Sequence, residues 1–230
     1  LVILFCLLAS SAFTQSYPPS NLSGSSLRSW LKSNWHTNRI NTRGYRNARR
    51  EMYNYIDNQN GQLEGFYTGY RRNWYYGGSG TNPQPINCEH IVPRSFFNNS
   101  EPMNSDIHHL RPVHSSVNSR RSNFPFAEIP DNQTTRWYRK GGSSTPSIPS
   151  SSIPDEYSEY RSGEFEPREE SKGDVARAIF YFYTMYPTQA GPMSMVGDIT
   201  TFYQWHLDAP VTPAEQQRNH GVAAYQGNRN

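Results

Sequence analysis

Cysteine is almost missing from this chain. Among its 230 residues there are two, Cys6 and Cys88. Cys-x-x-Cys zinc sites are therefore excluded, and no disulfide framework can hold the fold together. Long apolar runs are missing too. Only the segment from Leu1 to Phe13 is apolar and uncharged throughout most of its length; it is too short to span a bilayer comfortably, and no other stretch could cross one. Small residues and Gln15-Ser16-Tyr17-Pro18-Pro19 follow it. It resembles the hydrophobic region and cleavage zone of a secretory signal, cut after Ser10-x-Ala12 or Ala12-x-Thr14. No initiator Met and no charged segment precede it, so the sequence is read as beginning inside the leader, with an N-terminal anchor as the alternative. Once the leader is removed Cys88 stands alone. It reads as a buried small side chain at a strand end, or as a soft ligand beside Glu89.

Strong charge is also lacking. Lys plus Arg number 22 against 19 Asp plus Glu, giving a formal charge of +3 and a pI near 8.8. That mild basicity favours an anionic partner without identifying one. Apolar residues make up only 34%, but 16 Tyr, 11 Phe and 5 Trp are present, so fewer and larger side chains can fill a core. The length suits one substantial domain, and no internal repeat or domain boundary is visible.

Periodicity locates the elements. Ser25 or Ser26 is placed to cap a short helix carrying Leu27, Trp30 and Leu31. Arg43 to Ile56 reads as a helix with Tyr45, Ala48, Met52, Tyr53 and Ile56 as its apolar stripe. Arg46, Arg49 and Arg50 fall off that stripe, as a solvated basic face or a phosphate-tracking surface. Leu63 to Tyr70 reads as a strand, residues 71–87 as a loop, and Ile86 to Val92 as a second strand closed by Pro93. Ile107 to Pro112 is expected to be extended, and Val113 to Arg121 helical with Pro112 at its start. Residues 141–152, rich in Ser, Pro and Gly, are an exposed insertion. Tyr157 to Phe165 is expected as strand, then helices over Glu169 to Tyr186, Ile199 to Leu207 and Thr212 to Tyr225. The last of these opens on a capping box of Thr212 and Glu215.

The chemistry concentrates between Cys88 and Asn123. Four of the seven histidines, His90, His108, His109 and His114, lie there with Glu89, Asp106, Asn118 and the arginines 111, 120 and 121. A carboxylate, an imidazole and a carboxamide are what a hard divalent cation and a general base require. Arginines suit a phosphate. The pattern points to metal-assisted phosphodiester hydrolysis. Adjacent strand residues face opposite ways, so Glu89 and His90 can share a site only where the strand ends or bulges, which Pro93 supports. Zinc through the histidines is the competing reading, but no compact His-x₃-His pair on a helix supports it.

Glu89-His90-Ile91-Val92-Pro93, Asp106-Ile107-His108-His109-Leu110-Arg111-Pro112 and Val117-Asn118-x-x-Arg121-Ser122-Asn123-Phe124 resemble the signature of the bacterial endonuclease I family, secreted or periplasmic nucleases. Lys172-Gly173-Asp174-Val175-Ala176-Arg177-Ala178 is similar to that family's long helix. Trp205-His206, Asp208-x-Pro210-Val211, Glu215-x-x-Arg218-Asn219 and Gln226-Gly227-Asn228-Arg229-Asn230 are similar to its C-terminal run, so the resemblance covers most of 45–230. It implies an α+β fold, a mixed helical domain around a ββα-metal (His-Me finger) nuclease core. Residues 1–15 would be a partial signal peptide and 16–230 the nuclease domain.

By the same resemblance His90 is the general base, Glu89 and Asn118 bind one Mg²⁺ (Mn²⁺ and Ca²⁺ being left open), and Arg121 is a phosphate clamp, with Arg111 a weaker one. Asp106, His108 and His109 are given supporting or structural roles. The implied partner is DNA or RNA, for a monomer with no stable membrane association. The chain departs from the family in the 141–152 insertion, in having no disulfide, and in ending where members continue, which is read as a truncated C-terminus. The alternatives are an extracellular ribonuclease of the same fold and a non-catalytic nucleic-acid-binding descendant. A nonenzymatic adhesin would use the tyrosines differently.

Overall fold

The computed structural model describes residues 17–150 and 152–229, so the proposed leader at 1–15 lies outside the described residues. Helix α1 (Gly24–Trp35) starts a little earlier than expected, with Ser23 at its cap and no side-chain capping bond; Leu27, Trp30 and Leu31 are half-buried. Helix α2 (Tyr45–Glu51) begins at Gly44, whose φ of 82 suits glycine, and then widens into a π-helical turn over Met52–Ile56. Its expected stripe is correct: Ala48, Met52 and Tyr53 are buried, and Tyr45 and Ile56 pack against them.

The strand expected at 63–70 ends at Gly65, and a further strand runs into residues 71–73, which were expected to be loop. Strands β1 (Asn58–Gln59), β2 (Gln62–Gly65) and β3 (Tyr70–Asn73) form a small antiparallel sheet. The chain reverses at Gly69, φ 64, where a Cβ would press on the Arg168 guanidinium. An apolar run with two glycines reads as one strand by alternation, but the second glycine is a turn.

Strand β4 (Ile86–His90) pairs antiparallel with β5 (Leu110–His114), matching Cys88 with Pro112, Glu89 with Arg111 and His90 with Leu110. Helix α3 (Ser115–Arg121) follows at once. Pro112 is therefore a strand residue and not a helix start, and Ile107–His109 is a 3₁₀ turn and not extended chain. The Pro112 carbonyl accepts from the Phe66 N–H at 2.8 Å, which ties β5 to the first sheet.

A third sheet has the order β7 (Ser144–Thr145), β6 (Arg136–Tyr138), β8 (Ser158–Arg161), β9 (Glu164–Glu166), so the expected strand at 157–165 is a hairpin. The insertion is mostly exposed, as expected, yet β7 joins it to this sheet, and the Ser116 hydroxyl donates to the Gly142 carbonyl at 3.1 Å.

Helix α4 (Glu169–Met185) is the central pillar, with Val175, Ala178, Ile179, Phe182 and Met185 buried in the larger of two apolar clusters. Helices α5 (Ile199–Asp208) and α6 (Pro213–Gln226) complete the architecture. The Thr212 hydroxyl caps the Glu215 N–H at 3.1 Å, but Glu215 turns to Arg177 at 2.5 and 2.7 Å, so only half of the capping box forms. The fold class is α+β, as expected. No helix among the described residues is long and apolar enough to cross a membrane.

Candidate active site

The β4–β5–α3 unit carries Glu89, His90 and Asn118, and the partners of Glu89 and of His90 are different. His90 ends β4, and its ring is 4% exposed. Its Nε2–H donates to the Asn104 carbonyl at 3.0 Å. A carbonyl can only accept, so the proton sits on Nε2 and the lone pair on Nδ1. Burial holds this imidazole well below its ordinary pKa. The nearby His109, Arg94 and Arg121 push the same way, against the Asn104 bond. His90 is thus a neutral imidazole with one nitrogen fixed as a donor and the other carrying the lone pair.

Glu89, one residue earlier, points to the other side of the hairpin. Its Oε1 accepts from the Tyr67 hydroxyl at 2.8 Å and lies 3.3 Å from Nε of Arg121. Burial raises its carboxyl above the usual range, with Arg121 and Tyr67 opposing. Asn118, in α3, donates from Nδ2 to Asn87 Oδ1 at 2.8 Å and to the Cys88 carbonyl at 3.3 Å. Those bonds pin the carboxamide beside β4 and fix its orientation, which leaves Oδ1 as the atom available to a cation.

Among the described residues, no three or more His, Cys, Asp or Glu stand together as a metal-holding group. A cation at this hairpin would therefore have an oxygen each from Glu89 and Asn118, and water for the rest. That donor set fits Mg²⁺, which keeps several waters, and suits zinc poorly. A buried carboxylate whose charge is only partly offset by one guanidinium also favours a second positive partner. Cys88 packs against the smaller apolar cluster with its Sγ donating to the Glu89 carbonyl at 3.7 Å, and burial pushes its thiol up to about 12.

The supporting residues are structural in their contacts. Asp106 is fully buried. Its Oδ2 accepts from Tyr181 and Tyr186, both at 2.7 Å, and its Oδ1 from the Gln226 amide at 2.7 Å and the His108 N–H at 3.1 Å. Burial opposes its ionisation, but His108, His109 and these donors outweigh that and hold the carboxyl below its usual range. His108 donates to the Asn228 carbonyl at 3.1 Å and His109 to that of Met103 at 2.7 Å. Burial lowers His108 to about 4. Arg111 donates to the carbonyls of His108 and Leu110, faces Asp174 at 3.8 Å, and is lowered to about 10 by burial.

Arg121 is 1% exposed. Besides facing Glu89 it donates to the Ile91 carbonyl at 2.7 Å and to that of Ser122 at 3.0 Å. Its guanidinium is turned into the protein and braces β4.

Two other arginines cover the Tyr45 ring beside His90. The Tyr45 ring lies 5.4 Å from that of His90. Arg49 covers Tyr45 at 4.7 Å and Arg94 at 5.0 Å. Among the described residues neither guanidinium is paired with a carboxylate, and Nε of Arg49 is buried without a hydrogen-bond partner. Arg49 stood in the basic face seen in the sequence. Arg94 was missed, and the available signal was its position just beyond Pro93, where the strand turns back over its own end.

The family model described as Endonuclease I matches residues 23–230. An extracellular ribonuclease of Bacillus amyloliquefaciens is 33% identical over 160 residues, 63% of this chain and 49% of that protein. An extracellular ribonuclease of Bacillus subtilis (strain 168) is 32% identical over 168 residues, 66% of this chain and 52% of that protein. The chain spans about half the length of these curated relatives.

Proposed function

The chain belongs to the endonuclease I family, and on that premise we propose that it is a secreted, metal-dependent endonuclease that hydrolyses phosphodiester bonds of DNA or RNA with little sequence preference. The observation that carries this reading is the His90 ring. With Nε2–H anchored on the Asn104 carbonyl and burial keeping the ring neutral, Nδ1 is a preoriented base for a water molecule. Water takes the place of a 2′-hydroxyl as nucleophile, so the same chemistry applies to either sugar.

Glu89 and Asn118 would hold one divalent ion, Mg²⁺ by the chemistry of the donors, with Mn²⁺ or Ca²⁺ as substitutes. Such an ion supplies positive charge to the phosphoryl and leaving oxygens. Arg121 positions Glu89, and Arg49 and Arg94 meet the substrate phosphate from the Tyr45 side of His90. Asp106, His108, His109 and Arg111 keep the loop before β5 in register. The protein acts as a monomer, without stable attachment to a membrane.

A ribonuclease restricted to RNA is the second reading, favoured by the two extracellular ribonucleases to which the chain is similar. One digestion series separates the two: duplex DNA, single-stranded DNA and RNA, each with Mg²⁺ or EDTA. In single-turnover cleavage at saturating Mg²⁺, His90→Ala is expected to lose about 10²–10⁴ in rate while still binding nucleic acid. Near-equal rates for the two proteins would remove His90 from the role of base.

A further inference from the structure

The outward side of the element that carries Tyr45 and Arg49 is a second surface. Arg46 and Arg50 are exposed one turn apart on α2, preceded by the exposed Arg43. The π-helical turn then winds more widely than an α-helix, so Tyr55, five residues after Arg50, continues the same side. Tyr55 is 40% exposed, Tyr76 54% and Tyr75 80%. The rings of Tyr55 and Tyr76 meet edge to face at 5.6 Å.

These rings sit on a bonded support. Asn54 accepts the Trp74 indole N–H at 3.0 Å, donates to the Gly80 carbonyl at 2.8 Å, and accepts the Gly77 N–H on its own carbonyl at 3.0 Å. Three large rings therefore face solvent, two of them held edge to face, where they add little to the core. The nearby acids offset only part of the arginine charge. Asp57 is taken by Arg218 at 2.7 and 2.9 Å, and Glu51 lies near Arg50 and Arg43 but not at the tyrosines.

We propose that Arg46, Arg50, Tyr55, Tyr75 and Tyr76 form a track for single-stranded nucleic acid leading away from the candidate active site. Guanidinium groups suit the phosphates, and tyrosine faces suit unpaired bases. A duplex hides its base faces in the stack and would gain only the arginine contacts. The inference rests on the nuclease reading for its substrate class, and it gives that enzyme a strand preference that the catalytic residues do not.

The test is binding in EDTA, where no cleavage occurs, of fluorescent oligothymidylate, oligouridylate and a hairpin duplex to the whole chain. The triple variant Tyr55→Ala, Tyr75→Ala, Tyr76→Ala is expected to bind both single strands at least about tenfold more weakly and the duplex almost as before. The corresponding triple Phe variant keeps the ring faces and should bind like the wild type. With Mg²⁺, the Ala variant should show a raised KM on single strands and an unchanged kcat. Unchanged single-strand affinity, an equal loss on the duplex, or a Phe variant as weak as the Ala variant would overturn the track. A wild type that binds the oligonucleotides as expected but cleaves no nucleic acid would instead defeat the nuclease reading, because the binding measurements do not depend on catalysis.

Discussion

Nε of Arg121 lies 3.3 Å from Oε1 of Glu89, and both side chains are almost fully buried. An arginine spent on a carboxylate inside the protein is a poor phosphate clamp, and its removal should be felt in folding. Arg121→Met leaves a buried carboxylate without its cation and is expected to cost about 3–5 kcal/mol. Arg94 is exposed and covers Tyr45, so Arg94→Gln should leave stability nearly untouched and lower kcat/KM about tenfold or more through a lost charged contact. Urea unfolding and steady-state kinetics on both variants check this split. A stable Arg121→Met protein with a raised KM would restore Arg121 as the substrate contact.

The metal reading predicts a graded series. Glu89→Ala should abolish measurable Mg²⁺ binding by calorimetry, because it removes the only carboxylate proposed for the ion. Asn118→Ala should weaken binding, and Asn118→Asp should retain it, since an oxygen donor stays in place. Equal affinity in Glu89→Ala and the wild type would move the ion elsewhere.

Asp106 ties the segment before β5 to α4 and to the C-terminal end of α6 through Tyr181, Tyr186 and Gln226. Asp106→Ala would leave several buried donors without acceptors, at about 1–3 kcal/mol each, so a loss of about 3–5 kcal/mol is expected. The measurement is the shift in the urea midpoint at neutral pH. A shift under about 1 kcal/mol would mean that water replaces the carboxylate.

The same residue sets a pH dependence. Its carboxyl is held below the usual value of 3.8 in the folded chain. The sign follows from linkage: its stabilisation is fully present above the unfolded pKa and is lost as pH falls through the lower folded one. Stability should therefore drop as pH goes below about 4. The fall should be shallower in Asp106→Asn, which has no such carboxyl to protonate. Parallel acid curves for the two proteins would assign the acid lability to other groups.

The placement of the candidate site on the fold was legible in the sequence because its parts are short and local. Glu89-His90 ends a strand, and Asn118 lies one turn into a helix that follows the partner strand directly, so their spacing alone places them on one hairpin–helix unit. Long helices were equally readable. The stripe from Val175 to Met185 repeats at helical spacing, and α4 ends one residue short of the expected Tyr186. Boundaries failed where one residue type serves two states. Pro112 fits a helix start or a strand, and pairing with Cys88 decided for the strand. Gly69 fits a strand or a turn, and the left-handed backbone decided for the turn.

By itself the sequence determined which residues have the chemistry, because carboxylate, imidazole and carboxamide are properties of side chains, and helix or strand periods are local. Tertiary structure decided which partner each one meets. Arg121 and Arg94 are both arginines within reach of the same hairpin, yet one is buried against Glu89 and the other covers Tyr45 in the open. Asp106 is joined to Gln226 across 120 residues. Such partners are fixed by how α2, α4 and α6 pack around β4 and β5, where burying apolar surface forces each polar group to find its bond within the protein, and no local pattern in the chain encodes that choice.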